Sequence, residues 1–188
     1  MPNYYTGNFY LNDEQMKVNA SYLWAKMGAL RWSINAVAGM LGNMQSESSI
    51  NPGIWQNLDE GNLNGGYGLV QWTPASKYID WANSNGYALG GMEGQIARFD
   101  YEVENQIQWY ATANYPISFA EFKSTSLTPY NAAMAFLECY ERPENPNQPH
   151  RGTQAEYWYT YLMNEPPPPP PPTGETRKMP LIYYLRLL

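Results

Sequence analysis

Two acidic residues, Glu47 and Asp59, stand where carboxyl chemistry could be run. The apolar residues ahead of the first fall at Ile34, Val37, Leu41 and Met44, steps of three and four that mark one face of a helix. Three residues further on is Glu47, within Met44-Gln45-Ser46-Glu47-Ser48. The same rule therefore carries a carboxyl group onto the buried face of the helix, near its C-terminal end. Desolvation and the negative end of the helix dipole both disfavour the ionised form there. A carboxylic acid that keeps its proton near neutral pH is what protonation of a leaving sugar oxygen requires. The bland alternative is a helix-end carboxylate satisfied by backbone donors. Placement on the apolar face separates the two, because buried unpaired carboxyls are costly and gather at functional sites.

Downstream, Asn51-Pro52-Gly53 reads as a turn. A Gly- and Asn-rich stretch with Asp59 and Glu60 follows, then Gly65-Gly66-Tyr67-Gly68-Leu69-Val70-Gln71-Trp72. The pattern predicts a small hairpin whose second strand is Tyr67 to Trp72. A helix-end Glu facing a hairpin that carries an Asp makes a two-carboxylate cleft. A separation of ~6.5–9.5 Å would leave room for an inverting water, and ~5–5.5 Å would indicate retention. Asp59 reads equally as a turn residue beside Gly and Asn. Gln71 points into the cleft or pairs polar groups at its base. Trp55, Tyr67 and Trp72 are candidate sugar platforms, flat apolar rings that match pyranose faces, with core packing as the alternative.

The elements that must hold these groups are mostly helical. Asn12 with Gln15 forms a capping-box pattern, and Met16, Ala20, Leu23, Met27 and Leu30 supply the stripe of a first helix running to about Gly28. Ser33 caps the second helix, which delivers Glu47. Thr73-Pro74 reads as an N-cap followed by Pro at the first helical position, opening a helix to about Asn85. Met92, Ile96, Phe99, Val103 and Tyr110 mark a longer helix from about Gly91, and Glu93, Arg98, Asp100, Glu102 and Glu104 read as its solvated face. Ser118 with Glu121 repeats the capping box. Thr128-Pro129 starts a helix that ends at Pro143, followed by a proline-punctuated loop over 143–151 and a last helix from about Thr153 to Met163. Residues 1–11 read as an arm packed on the domain. Six or seven helices around one small hairpin give an α+β class dominated by helix.

Of the 188 residues, 44% are hydrophobic and 15% aromatic, enough for one domain, here 1–165, plus a tail. The net charge of −6 argues against nucleic acid as a partner. No apolar run is long enough to span a bilayer and no leader is expected at the N-terminus. The single cysteine, Cys139, excludes an internal disulfide, and with the single His150 it cannot build a His/Cys zinc site. No metal or organic cofactor is expected. A Cys/His nucleophile would require those two residues to meet; Cys139 reads instead as a core residue. Pro166 to Pro172 predicts a stiff polyproline linker of ~22 Å. Beyond it, 173–188 ends in an apolar stretch from Leu181, a docking segment or the remnant of a lost domain.

Glu47-Ser48 followed by Gly66-Tyr67-Gly68-Leu69-Val70-Gln71 resembles the paired motifs of goose-type lysozymes and soluble lytic transglycosylases. The run from Gly39 to Ser48, with Asn51-Pro52-Gly53, Trp55 to Asn62 and Gly68 to Ser76, is more similar to the phage tail lysozyme family, which includes the lysozyme domains of tail-tip knob proteins of phi29-type short-tailed phages. Tyr140-Glu141-Arg142-Pro143, the run from Asn145 to Pro149 and Gln154 to Tyr159 continue that likeness, which covers roughly residues 12–162. It implies a lysozyme-like fold and a muramidase that cleaves β-1,4 bonds between N-acetylmuramic acid and N-acetylglucosamine in peptidoglycan. The same likeness implies a place in the virion, at the tail tip, and a role in cell-wall penetration. Glu47 would be the acid and Asp59 would position water, although about three extra residues stand before Gly68. Tyr140 and Glu141 would line the cleft floor or brace the catalytic helix. A lytic transglycosylase using the same Glu47 and a wall-binding tail protein without catalysis are the alternatives. The expected partners are glycan strands and, through 173–188, other tail proteins.

Overall fold

The structure, a computed structural model, describes residues 3–164. The polyproline linker and the segment 173–188 lie outside the described residues. Seven α-helices follow in order: α1 (Asp13–Ala29), α2 (Ile34–Ser48), α3 (Ser76–Ser84), α4 (Met92–Asn105), α5 (Phe119–Lys123), α6 (Pro129–Phe136) and α7 (Pro149–Asn164). The expected capping boxes are both present: Asn12 with Gln15 opens α1, and Ser118 with Glu121 opens α5. Ser33 caps α2 by accepting from the Ala36 N–H, and Thr128 does the same for α6 with Pro129 inside its first turn. Local chemistry thus set most helix starts.

Four local expectations are corrected. The hairpin reduces to two single antiparallel bridges, Trp55 with Tyr67 and Tyr67 with Trp72. The stretch 67–72 folds back on itself, Tyr67 and Trp72 exchanging both backbone bonds, and the groups between them are satisfied in part by side chains from the helices. Gln95, fully buried on α4, accepts from the Leu69 N–H and donates to the Pro52 carbonyl. Ser48 donates to the Leu69 carbonyl at 2.8 Å. Thr73 does not cap α3; its hydroxyl bonds the Gln71 carbonyl, and the helix begins at Ser76. α4 stops at Asn105 with Gln106 left-handed, so Tyr110 lies beyond it. The last helix begins at Pro149, four residues early, which moves His150 and Arg151 from a loop into its first turn.

α2 is the central element, with ten buried residues from Ala36 to Ser48. It packs on α6 and α7 through two glycines one turn apart. A Cβ on Gly39 would lie 2.7 Å from the Ala132 backbone, and one on Gly42 would meet the Arg151 carbonyl oxygen and sit 2.9 Å from the Ala155 nitrogen. Backbone cannot yield as a flexible side chain can. Gly42→Ala is therefore expected to cost about 3 kcal/mol by overpacking and to lower the melting temperature by ~6–12 °C, read by thermal denaturation.

The arm over residues 3–11 is packed on the domain as expected. Asn19, buried on α1, accepts from the Tyr5 N–H and donates to the Tyr5 and Ile50 carbonyls. Asn51 donates to the carbonyls of Gly7 and Phe9. These bonds bring Tyr10 to the rim of a groove at the C-terminal end of α2.

Candidate active site

A cleft of about 600 Å³ opens where the C-terminal end of α2 meets the 54–73 loop and the chain between α6 and α7. Glu47 lines it from α2, Trp55 to Asn57 and Val70 to Thr73 from the loop, and Tyr140 to Pro143 from the third side. Tyr10, Lys77 and Gln108 complete the rim. The volume lies in the ~300–1,000 Å³ range of ligand-binding clefts.

Glu47 reaches this place by the helical rule that predicted it, but its setting is not the apolar one expected. Its side chain is 23% exposed and its Oε1 lies 2.6 Å from Nη2 of Arg151, whose side chain is 8% exposed. Arg151 is held from three directions. Nη1 donates to Oδ1 of the buried Asn43 at 3.1 Å, and Nε donates to Oε1 of Gln148 at 2.7 Å. Asn43 and Glu47 are four residues apart on α2, so one guanidinium on α7 reads two successive turns of the same helix face. The signal for Arg151 was present in sequence: Pro149 at the first helical position marks the start of α7.

The cleft carboxyl with a sealed, donorless oxygen is Glu141. Its side chain as a whole is half-buried, yet Oε1 is sealed and has no hydrogen-bond partner among the described residues. Desolvation first, then the negative charge of Glu47, drives its pKa well above the usual carboxylate range, against the opposing pull of Arg151. The local backbone explains its position. α6 passes directly into a π-turn, Leu137–Glu141, closed by the Arg142 N–H bonding the Leu137 carbonyl at 2.8 Å. Such wide turns re-aim side chains and recur at functional sites. Here the turn sends Tyr140 inward and Glu141 to the cleft.

Behind the cleft, Glu102 corrects the reading of α4's polar side as solvated. It is fully buried and accepts three bonds: from Trp72 Nε1 at 3.0 Å, Arg98 Nε at 2.8 Å and the Tyr140 hydroxyl at 2.6 Å. Burial raises its pKa, offset by those donors. Glu102 lies three residues after Phe99, and the spacing rule applied to Glu47 would have placed it inward too. Its effect is to fix two walls of the cleft, since Trp72 and Tyr140 both line it.

The remaining expected residues divide. Trp55 and Gln71 line the cleft, and Gln71 donates its Nε2 to the Gly68 carbonyl at 2.9 Å. Tyr67 does not: it is 3% exposed, its ring meets Trp55 and Tyr78, and desolvation raises its pKa to about 12, marking a core residue. Asp59 and Glu60 are exposed on the loop after a short 3-10 turn, Gln56–Leu58, and neither lines the cleft. Asp59 accepts from Asn62 Nδ2 at 3.0 Å, the bond of a turn residue. Four cleft residues that are not glycine hold left-handed backbone: Asn57 (φ 56°), Gln71 (φ 48°), Gln108 (φ 68°) and Arg142 (φ 52°). Conformations of this kind cost ~1–3 kcal/mol each and concentrate where function needs them.

Cys139 is buried, with its thiol against the Tyr115 carbonyl. Among the described residues no three His, Cys, Asp or Glu side chains group as a metal site, and no helix is long and apolar enough to cross a membrane.

Over residues 18–162 the sequence matches the family described as phage tail lysozyme. It is also 52% identical over 159 residues to "Morphogenesis protein 1" of Bacillus phage B103. That alignment covers 85% of this chain and 43% of the relative, so the chain spans less than half the relative's length.

Proposed function

Because the chain belongs to the phage tail lysozyme family, we propose that it is a muramidase: it seats a peptidoglycan glycan strand in the cleft and cleaves the β-1,4 bond after N-acetylmuramic acid. The observation that carries this reading is Glu47 itself, a partly exposed carboxyl held by Arg151 at the wall of an open, sugar-sized groove. Glu47 delivers a proton to the glycosidic oxygen as the C1–O bond breaks, which general acid catalysis makes worth ~10²–10⁴-fold in rate. Trp55 offers an apolar edge for a pyranose face, and Gln71, Gln108 and Lys77 offer polar partners for hydroxyl and acetamido groups. The family's description, phage tail lysozyme, with the relative's name, a phage morphogenesis protein, supports a place in the virion, at the tail, from which the protein would reach the wall from outside.

A second reading, lytic transglycosylase, is favoured by one observation: Asp59 is not among the residues lining the cleft. With no Asp to position water, the muramic acid 6-hydroxyl becomes a competing nucleophile. The deciding experiment is mass spectrometry of digested peptidoglycan. Reducing ends are expected; 1,6-anhydromuramyl ends would replace hydrolysis by transglycosylation. If the protein binds walls but releases no fragments at all, both enzymatic readings fail and a wall-binding tail protein is left.

A further inference from the structure

Glu141 has no role in the mechanism so far, and its placement is expensive. A carboxyl oxygen sealed from water without a donor is a cost that folds avoid unless something uses it. Its surroundings are specific. Glu47 shares the cleft wall with it from α2, and Arg151, on α7, is bonded to Glu47. Glu102 approaches from α4 but is occupied by three donors. The adjacent Arg142 is turned away, its guanidinium 4.3 Å from the centre of the Tyr110 ring. Arg151 is thus committed to Glu47 and Arg98 to Glu102, and Oε1 of Glu141 is left with no donor among the described residues.

We propose that Glu47 and Glu141 hold a single proton between them, Glu141 keeping it until a sugar arrives and Glu47 delivering it. This rests on Glu47 being the acid in glycan cleavage. Two interacting carboxyls lose their protons in separate steps that belong to the pair. Environments that push two carboxyls apart are how one site supplies both an acid and a base. Here the ion pair with Arg151 suits the charged member, and the sealed, donorless position suits the neutral one. The proton leaves the Glu141 carboxyl for Glu47, then bonds the glycosidic oxygen as C1–O breaks and its electron pair passes to that oxygen. The attacking hydroxyl, from water or from the sugar, bonds C1 and releases its own proton to the pair. One proton is spent and one regained, so the dyad is reset. Glu141 acts through Glu47 and is a positioning residue for the proton.

The pH profile of wall clearing tests this. In the native protein the alkaline limb reports loss of the pair's last proton, which Glu141 holds to unusually high pH. With Glu141→Gln the store is gone, and the alkaline limb is expected to move to lower pH by about one unit or more, with roughly tenfold loss of rate on that limb and little loss on the acid side. An unmoved profile overturns the proposal, and so does an equal loss at every pH, which is what a merely structural role gives. Should the variant fail to fold, carbon NMR of native protein labelled at the glutamate carboxyls decides. One carboxyl is expected to titrate above the ordinary range and to move down in Glu47→Gln, because the neighbouring negative charge is removed; no such carboxyl, or no response, overturns it. If Glu47→Gln clears walls like the native protein, the muramidase reading falls. If Glu47→Gln is inactive while Glu141→Gln keeps the native profile, only the shared proton falls.

Discussion

Glu47→Gln is expected to reduce wall clearing by about 10²–10⁴-fold, the range that loss of a general acid produces, while wall binding stays near native. The substitution is chosen for what it preserves. Gln has the same length, and its Oε1 still accepts from Arg151, so the α2–α7 contact survives without its charge. A charge-assisted bond becomes an ordinary one, at a cost of about 1 kcal/mol and a fall of ~2–4 °C in melting temperature. An activity loss far larger than the stability loss would assign Glu47 to chemistry. Clearing by the variant at near-native rate would remove Glu47 from the reaction. The measurement pairs turbidity of a peptidoglycan suspension with sedimentation of wall-bound protein.

Arg151→Met should damage both stability and activity. Met matches the length of the stem but can donate to none of the three acceptors. Asn43 Oδ1 is fully buried and Glu47 partly so, and neither is fully rescued by water. Exposed ion pairs contribute ~0–1 kcal/mol, whereas removing one partner of a buried pair costs ~3–5 kcal/mol. This pair sits between those limits, with one side chain 8% exposed and the other 23%. The expected loss is about 3 kcal/mol, or ~6–12 °C in melting temperature for a chain of this size. Clearing is expected to fall at least about tenfold at temperatures where the variant is still folded, because Glu47 loses the contact that fixes it in the groove. Arg151→Lys should restore the charge but not the three-way geometry, giving partial recovery. A native-like melt for Arg151→Met would show that the guanidinium does not tie α7 to α2.

Both predictions turn on a residue pair of which the sequence exposed one half. Glu47 was legible because helical periodicity is a local property: Ile34, Val37, Leu41 and Met44 define a face, and arithmetic places the next residue on it. Capping chemistry was legible for the same reason, and Asn12, Ser33, Ser118 and Thr128 all open helices as read. The motifs around Glu47 and 66–76 also sufficed to indicate the family, which the match over residues 18–162 bears out. The second carboxyl was assigned by proximity in the chain, to Asp59. Folding leaves Asp59 off the cleft and brings Glu141 to it, 94 positions after Glu47, an acid that only the family likeness had offered for the cleft floor.

That outcome needed the tertiary structure, because it depends on a π-turn that rotates residues 140 and 141 relative to α6 and on α7 returning beside α2. The strand signal at 67–72 failed for a related reason. Its aromatic and β-branched residues are buried, but side chains from α2 and α4 satisfy the loop's backbone where a ladder was expected. Sequence determined which helices form, where most of them start and that one of them carries an acid inward, since these follow from neighbours within a few residues. Which charges meet at the cleft was decided only by packing, since Arg151, Glu102 and Glu141 reach Glu47 and its walls from parts of the chain no local rule connects.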